Sequence, residues 1–194
     1  MQIGTGANIL DGWFNTDIVP DKKRKIHFLD LAWCFPFPEE SFEYIFSEHS
    51  LEHLSFNEGL FMLRECWRVL KHNGKIRIAT PDLNKLIEYY ANESKLHSDY
   101  LEFEYEHFIK HKIARDILTK DIVLNNFFRD WGHKFIYDNQ TITCALQDAG
   151  FVNIKTYGIG VSDDAAFVGL EQHGNIISDE FNEMETMIVE AVKP

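Results

Sequence analysis

The stretch FEYIFSEHSLEHLSFNEGLFMLRECWRVLKHNGKIRIATPD, residues 42–82, decides the fold. Phe42 to Phe46 reads as a buried strand that stops at Ser47-Glu48-His49. Ser55 can then cap a helix from about Phe56 to Leu70, with Glu58 three residues on as its capping-box partner. Leu60, Leu63, Cys66, Trp67 and Leu70 give that helix one apolar face. Asn73-Gly74 ends it, and Lys75 to Ala79 is the next strand. A strand, a helix and a strand in direct succession predict a parallel pair joined by a right-handed crossover.

Working outward, the same alternation continues. Met1 to Ile3 is a strand stub ending in Gly4-Thr5-Gly6. Trp13 to Ile18 is a second strand, and Lys25 to Leu29 a third that ends at Asp30. From Pro81 to about Asp130 the pattern is helical. Asp138 to Ala149 is a helix closed by Gly150, which suits a left-handed cap. Phe151 to Tyr157 and Glu185 to Val192 are the closing strands. The chain is thus read as one domain, 1–194, with 84–126 as a helical insertion placed to act as a lid. Tyr89, Tyr90, Tyr100, Phe103, Tyr105 and Phe108 of the insertion are expected to pack its core. Glu102, Glu104, Glu106 and His107 are expected on a solvated face.

Composition narrows the function classes. The 194 residues suffice for a core without disulfides or a structural metal, and the 45% hydrophobic share is ordinary for a globular chain. A net charge of -12 repels phosphate backbones, so no nucleic-acid partner is expected. The basic run Lys22–Lys25 is short and reads as a solvated turn. The 3 cysteines show no paired spacing, the start resembles no signal peptide, and no stretch is long and apolar enough to span a bilayer. The expectation is a cytoplasmic protein without a membrane span. Its oligomeric state is left open.

Open parallel sheets bind ligands at the carboxyl ends of their strands. Gly4-Thr5-Gly6, Asp17, Asp30, Ser47-Glu48-His49 and Thr80-Pro81-Asp82 all fall at such ends. Glycines let backbone N–H groups approach a ligand, and an acidic residue after the second strand can accept ribose hydroxyls. Each residue alone is as well explained by a turn or a cap. Together they favour one crevice.

The segments IGTGANILDGWFNTDI, LDLAWCFPFPEESFEYIFSEHSLEHL, LRECWRVLKHNGKIRIATPDL and GHKFIYDNQTITCALQDAGF, with the closing METMIVEAVKP, resemble S-adenosylmethionine-dependent methyltransferases of the type 11 group. The resemblance covers most of the chain outside roughly Asn84 to Leu124. It implies an α/β, three-layer Rossmann-like fold: a mostly parallel seven-stranded sheet with an antiparallel last strand and a helical insertion after the fifth strand. It implies S-adenosylmethionine as cofactor and S-adenosylhomocysteine as product. Gly4, Thr5 and Gly6 would lie under the methionyl part, Asp17 and Ile18 at the ribose, Asp30 and Leu31 at the adenine, and Ser47 and Glu48 beside the sulfonium. The chain departs from the family in its first strand, where either the start is abridged or the strand is unusually short, and in the short link from Gly4 to Asp17.

Two further stretches carry chemistry. His49-x-x-Glu52-His53 resembles the Glu-x-x-Glu-His of magnesium-binding ubiquinone-pathway and small-RNA O-methyltransferases, and with His133 it offers a divalent site. The competing reading, in which Glu52 and His53 bond neighbouring backbone and fix a loop, is preferred, so no metal ligands are assigned. A zinc hydrolase is rejected, because His49 follows a strand instead of opening a helix. Phe127-Phe128-Arg129-Asp130-Trp131-Gly132-His133-Lys134 suits a substrate pocket, with Arg129 and Trp131 as binding residues. His49 or His133 would be the base. The expected activity is methyl transfer to a small or medium acceptor, a small molecule or saccharide-like, at a hydroxyl. The alternative is a methyltransferase-like binding module without catalysis.

Overall fold

The computed structural model describes residues 1–113, 115 and 117–194. Seven strands form one sheet: β1 (Gln2–Ile3), β2 (Asn15–Asp17), β3 (His27–Phe28), β4 (Phe42–Glu48), β5 (Leu70–Pro81), β6 (Val152–Tyr157) and β7 (Thr186–Val192), in the order β3-β2-β1-β4-β5-β7-β6. β1 to β5 pair in parallel, and β7 runs antiparallel to both β5 and β6. This is the expected Rossmann-like arrangement. β1 is only two residues long but sits mid-sheet, hydrogen-bonded to β2 and β4, with Ile3 fully buried.

Side-chain alternation on β4 sends Ile45 and Phe46 to opposite faces. Ile45 joins the main core, built with Met62, Leu63, Cys66 and Val69 of α1 (Phe56–Val69) and Ile142, Ala145 and Leu146 of α5 (Asn139–Asp148). Phe46 meets Leu10, Phe167 and Leu170, from the segments after β1 and β6. The link from Gly4 to Asp17 contains no helix, as its length predicts.

α1 starts as expected: Ser55 accepts the Glu58 N–H and the Glu58 carboxylate accepts the Ser55 N–H at 2.7 Å. Its end differs. The helix stops at Val69, and β5 already begins at Leu70, because Leu70 pairs with Phe42 across an irregularity that restores the register at Tyr44 and Lys75. The Asn73-Gly74 turn is held within that strand, where Asn73 N–H donates to Lys193 O.

The insertion is α2 (Leu83–Ala91), α3 (Lys95–Glu104) with a π-turn at Tyr105–Ile109, and α4 (Lys120–Arg129). It has its own core of Leu86, Tyr89, Tyr100, Tyr105, Ile109, Val123 and Phe127. Two expectations fail here. Tyr90 is exposed, and Glu104 is not on a solvated face but buried at 2% exposure. Two helices were not anticipated, α6 (Gly174–Ile177) and α7 (Asp179–Glu185), the latter capped by Ser178 and packed on α2.

Candidate functional site

Because β1 to β5 are parallel, their carboxyl ends lie along one edge. The register sets Ile3 beside Thr16 and Ser47, Asp17 beside Phe28, and Glu48 beside Ala79. Gly4, Gly6, Asp17, Asp30, Glu48 and His49 therefore do share that edge. Asp17 links two of its loops: Oδ2 accepts the Gly6 N–H at 2.8 Å and Oδ1 accepts the Val19 N–H at 2.9 Å. Each carboxylate oxygen keeps a further lone pair for a ligand hydroxyl.

The two glycines differ. Gly4 has φ +63°, and a Cβ there would stand 1.9 Å from Ser50 Oγ, so Ser50 demands this glycine. Gly6 has φ +51°, and a Cβ there would meet nothing within 4 Å. The backbone at Gly6 thus faces open space beside Asp17 and the exposed Ile18. Asp30 Oδ1 accepts the Ala32 N–H at 2.9 Å, so it also forms its own turn, and Leu31 packs partly on the main core.

Four expected site side chains are engaged elsewhere or turned away. Thr5 is buried, its hydroxyl donating to Thr16 O at 3.1 Å. Ser47 is fully buried, and its Oγ has no partner among the described residues. Glu48 accepts the backbone N–H groups of Gln172 and His173 at 2.8 and 2.9 Å, anchoring the segment before α6. Arg129 is exposed and does not line the neighbouring cavity.

That cavity, about 310 Å³, lies under the insertion next to His49. Its walls are His49, Glu52, His53, Pro81, Glu104, Phe108, Phe127, Trp131, His133, His173, Ile176, Ile177 and Glu185. β4 supplies the turn to His49, whose N–H donates to Ala79 O at 2.9 Å and whose φ is +46°. Trp131, at φ +52°, is also left-handed. Such strained non-glycine positions gather at functional sites. The loop bearing His133 is tied to the His49 loop, because Lys134 N–H and Phe135 N–H both donate to Glu52 O.

The electrostatics separate the two candidate bases. His133 Nδ1 lies 2.8 Å from Phe127 O, an acceptor only, so Nδ1 carries the proton and Nε2 the free lone pair. Burial lowers the His133 imidazole below its ordinary value and keeps it neutral. His49 is buried too, but the Glu52 hydrogen bond at 3.1 Å and the charges of Glu52, Glu185 and Glu48 outweigh burial and raise it. Burial pushes Glu52 up, and the His49 bond and charge overcome that and hold it low. Glu52 bonds Thr80 Oγ1 at 3.0 Å and His49 with its side chain, and its carbonyl accepts the Lys134 and Phe135 N–H groups, so it ties two loops as well as fixing its own. Burial and the charge of Glu185 push Glu104 up to about 8. His173, Glu185 and Glu104 escaped the sequence reading. The only local cue was the Ser178-Asp179-Glu180 start of α7, whose serine accepts the Phe181 N–H.

Residues 17–78 match the family model described as a methyltransferase domain. Comparison with curated protein sequences finds no match. Among solved structures, a SAM-dependent methyltransferase from Archaeoglobus fulgidus is similar at 16% identity and TM-score 0.56, over 99% of this chain and 84% of that one. Another, from Thermotoga maritima, is similar at 15% identity and TM-score 0.50, over 100% and 81%. The chain spans about half, 52%, of a possible exported protein from Bordetella parapertussis, with 92% of itself covered, at 11% identity and TM-score 0.52. At these identities the structural likenesses speak to fold alone. The sequence match spans less than half of the chain, and the structural likenesses show a Rossmann-like fold of the kind those methyltransferases share. The open backbone at Gly6, flanked by the Asp17 carboxylate and exposed Ile18, leaves room for a ligand at this edge. No helix among the described residues is long and apolar enough to cross a membrane.

Proposed function

We propose that the chain methylates a hydroxyl of a small or saccharide-like acceptor held in the cavity beside His49. The observation that carries this reading is His133: a neutral imidazole with its free Nε2 on a cavity wall. S-adenosylmethionine, when bound, supplies an already activated methyl group. Asp17 and the Gly6 backbone hold its ribose, and Asp30 and Leu31 its adenine. The chain's part in the reaction is then alignment and removal of one proton. His133 takes the acceptor's proton at Nε2. His49 is the weaker candidate, because the surrounding carboxylates favour its protonated form.

A cavity of about 310 Å³ sits at the small end of ligand sites, which supports a small acceptor. Residues 84–126 act as its lid within a single domain, with Glu104 and Phe108 on the cavity wall and Phe127 next to the lid's end. Trp131 stacks on the acceptor. The negative net charge argues against nucleic acid, and the free thiols of Cys34, Cys66 and Cys144 fit a reducing, cytoplasmic setting.

Calorimetry with S-adenosylmethionine and S-adenosylhomocysteine tests the donor site. Wild type binds both, and Asp17→Ala loses binding. Absence of binding by wild type at millimolar ligand overturns the reading. S-adenosylhomocysteine release across a panel of small hydroxyl compounds then finds the acceptor. With it, His133→Ala keeps donor affinity and loses roughly 10²- to 10⁴-fold in kcat. The acid limb of the wild-type rate lies below pH 6.5, because the imidazole titrates below its ordinary value. An unchanged rate for His133→Ala removes the base assignment.

A further inference from the structure

We propose that His49, His173 and Glu185 form a binding site for one divalent first-row transition metal ion, opening into the cavity. One donor atom from each lies within 4.8 Å of the others. They come from three separate parts of the chain: the turn after β4, the segment anchored by Glu48, and the last residue of α7. The imidazole rings of His49 and His173 stand 3.9 Å apart. Two imidazolium ions at that distance repel, so a shared cation suits the pair better than two protons. His173 Nε2 is 3.3 Å from Glu185 Oε1. Among the described residues that line the cavity there is no lysine or arginine, and Lys112 acts on Glu104 from outside it.

The surroundings aim these donors. Glu52 Oε1 holds His49 Nδ1 at 3.1 Å, which leaves Nε2 for the ion and reproduces the carboxylate–histidine support found behind metal-bound imidazoles. Tyr100 donates its hydroxyl to Glu185 Oε2, leaving Oε1 as the ligand oxygen. The His173 backbone is pinned by the Glu48 carboxylate at 2.9 Å. Thr186 Oγ1 stands 3.2 Å from His49 Nε2 and gives that hydrogen bond up when the ion takes the nitrogen. Two nitrogens and one carboxylate oxygen favour zinc, iron, cobalt or nickel over magnesium and calcium. Three protein ligands leave an open position toward the cavity, where an acceptor oxygen can bind and lose its proton more readily. That use of the ion rests on the acceptor being a hydroxyl, whereas the metal site itself does not.

The test needs no methyl donor, so its outcome is separate from that of the methyl-transfer reading. The full chain, stripped with a chelator and dialysed, is titrated with Zn²⁺ by calorimetry, with Co²⁺ by visible absorption, and with Mg²⁺ for contrast. One Zn²⁺ per chain is expected, with Mg²⁺ at least about 100-fold weaker. His173→Ala and Glu185→Gln each weaken Zn²⁺ by at least about tenfold, and His53→Ala changes it by less than roughly twofold. Thermal melts in chelator check that each variant folds. Should the variants not fold, the wild-type Co²⁺ complex decides: nitrogen-ligated absorption supports the site, and a spectrum unchanged from aqueous Co²⁺ overturns it. No Zn²⁺ binding at millimolar metal overturns it as well. So does loss of binding in His53→Ala with retention in His173→Ala, which would move the ion to Glu52, His53 and His133.

Discussion

Glu104 shows how much one side chain can hide from a sequence. In the insertion it stands among Glu102, Glu106 and His107, a spacing that reads as a solvated helix face, yet the π-turn at Tyr105–Ile109 that follows it lies on the same buried side. Its Oε2 has no partner among the described residues, and its carboxyl titrates at about 8 against 4.5 for the ordinary group. Below pH 4.5 folded and unfolded chains both carry this proton, and it costs nothing. As pH rises from 4.5 to 8 the unfolded chain releases the proton while the fold retains it, so stability falls, by up to about 1.4 kcal/mol per unit. Above 8 the loss is complete. Glu104→Gln removes this slope: urea titrations in chelator show the variant gaining on wild type between pH 5 and 8. A constant difference across that range refutes it. The sequence singles out Asp17 by its strand-end position and His133 by its aromatic surroundings, and the fold sets the first beside Gly6 and the second on the cavity wall. His173 and Glu185 were not legible, since docking of the segment after β6 brings the first to His49 and pairing of β7 with β5 brings the second.

At the scale of elements, capping chemistry was the most readable signal and strand pairing the least. The Ser55–Glu58 box is present as the sequence implies, and Lys134 Nζ adds a contact to Glu58 at 3.1 Å. Ser55→Ala should cost about 1 kcal/mol. In a chain of this size that lowers Tm by about 2–4 °C, measurable by thermal melts, and Ser55→Asp should restore most of it. A silent Ser55→Ala would mean that packing of Met62, Leu63 and Cys66 alone fixes the start of α1. The other end of α1 was misjudged for a physical reason. Leu70 satisfies helical periodicity equally well, but its backbone pairs with Phe42, a contact invisible to any local pattern. β1 shows the converse: two residues suffice for a central strand because neighbours on both sides complete its hydrogen bonds.

Across the whole molecule, the two faces of the sheet are held by different physics, and this too left little trace in the sequence. One face is apolar, covered by α1 and α5. On the other, Arg77 of β5 is fully buried, pairing with Glu171 at 2.6 Å and Glu190 at 2.5 Å and donating to Val161 O at 2.9 Å. Nearby, Lys75 meets Asp164 at 2.7 Å. These contacts dock the segment after β6 on the sheet, and that segment continues into Gln172 and His173 at the cavity. Arg77→Met therefore strands two buried carboxylates and should cost roughly 3–5 kcal/mol. Replacing the whole cluster, Arg77→Met with Glu171→Gln and Glu190→Gln, removes the uncompensated charges and should recover most of that loss in urea denaturation. Stability and site can then be read separately. If the ion cluster positions His173, the triple variant folds but binds Zn²⁺ more weakly than wild type. Equal affinity in the two would mean that the Glu48 carboxylate, through its bonds to the Gln172 and His173 N–H groups, sets that imidazole without help from Arg77.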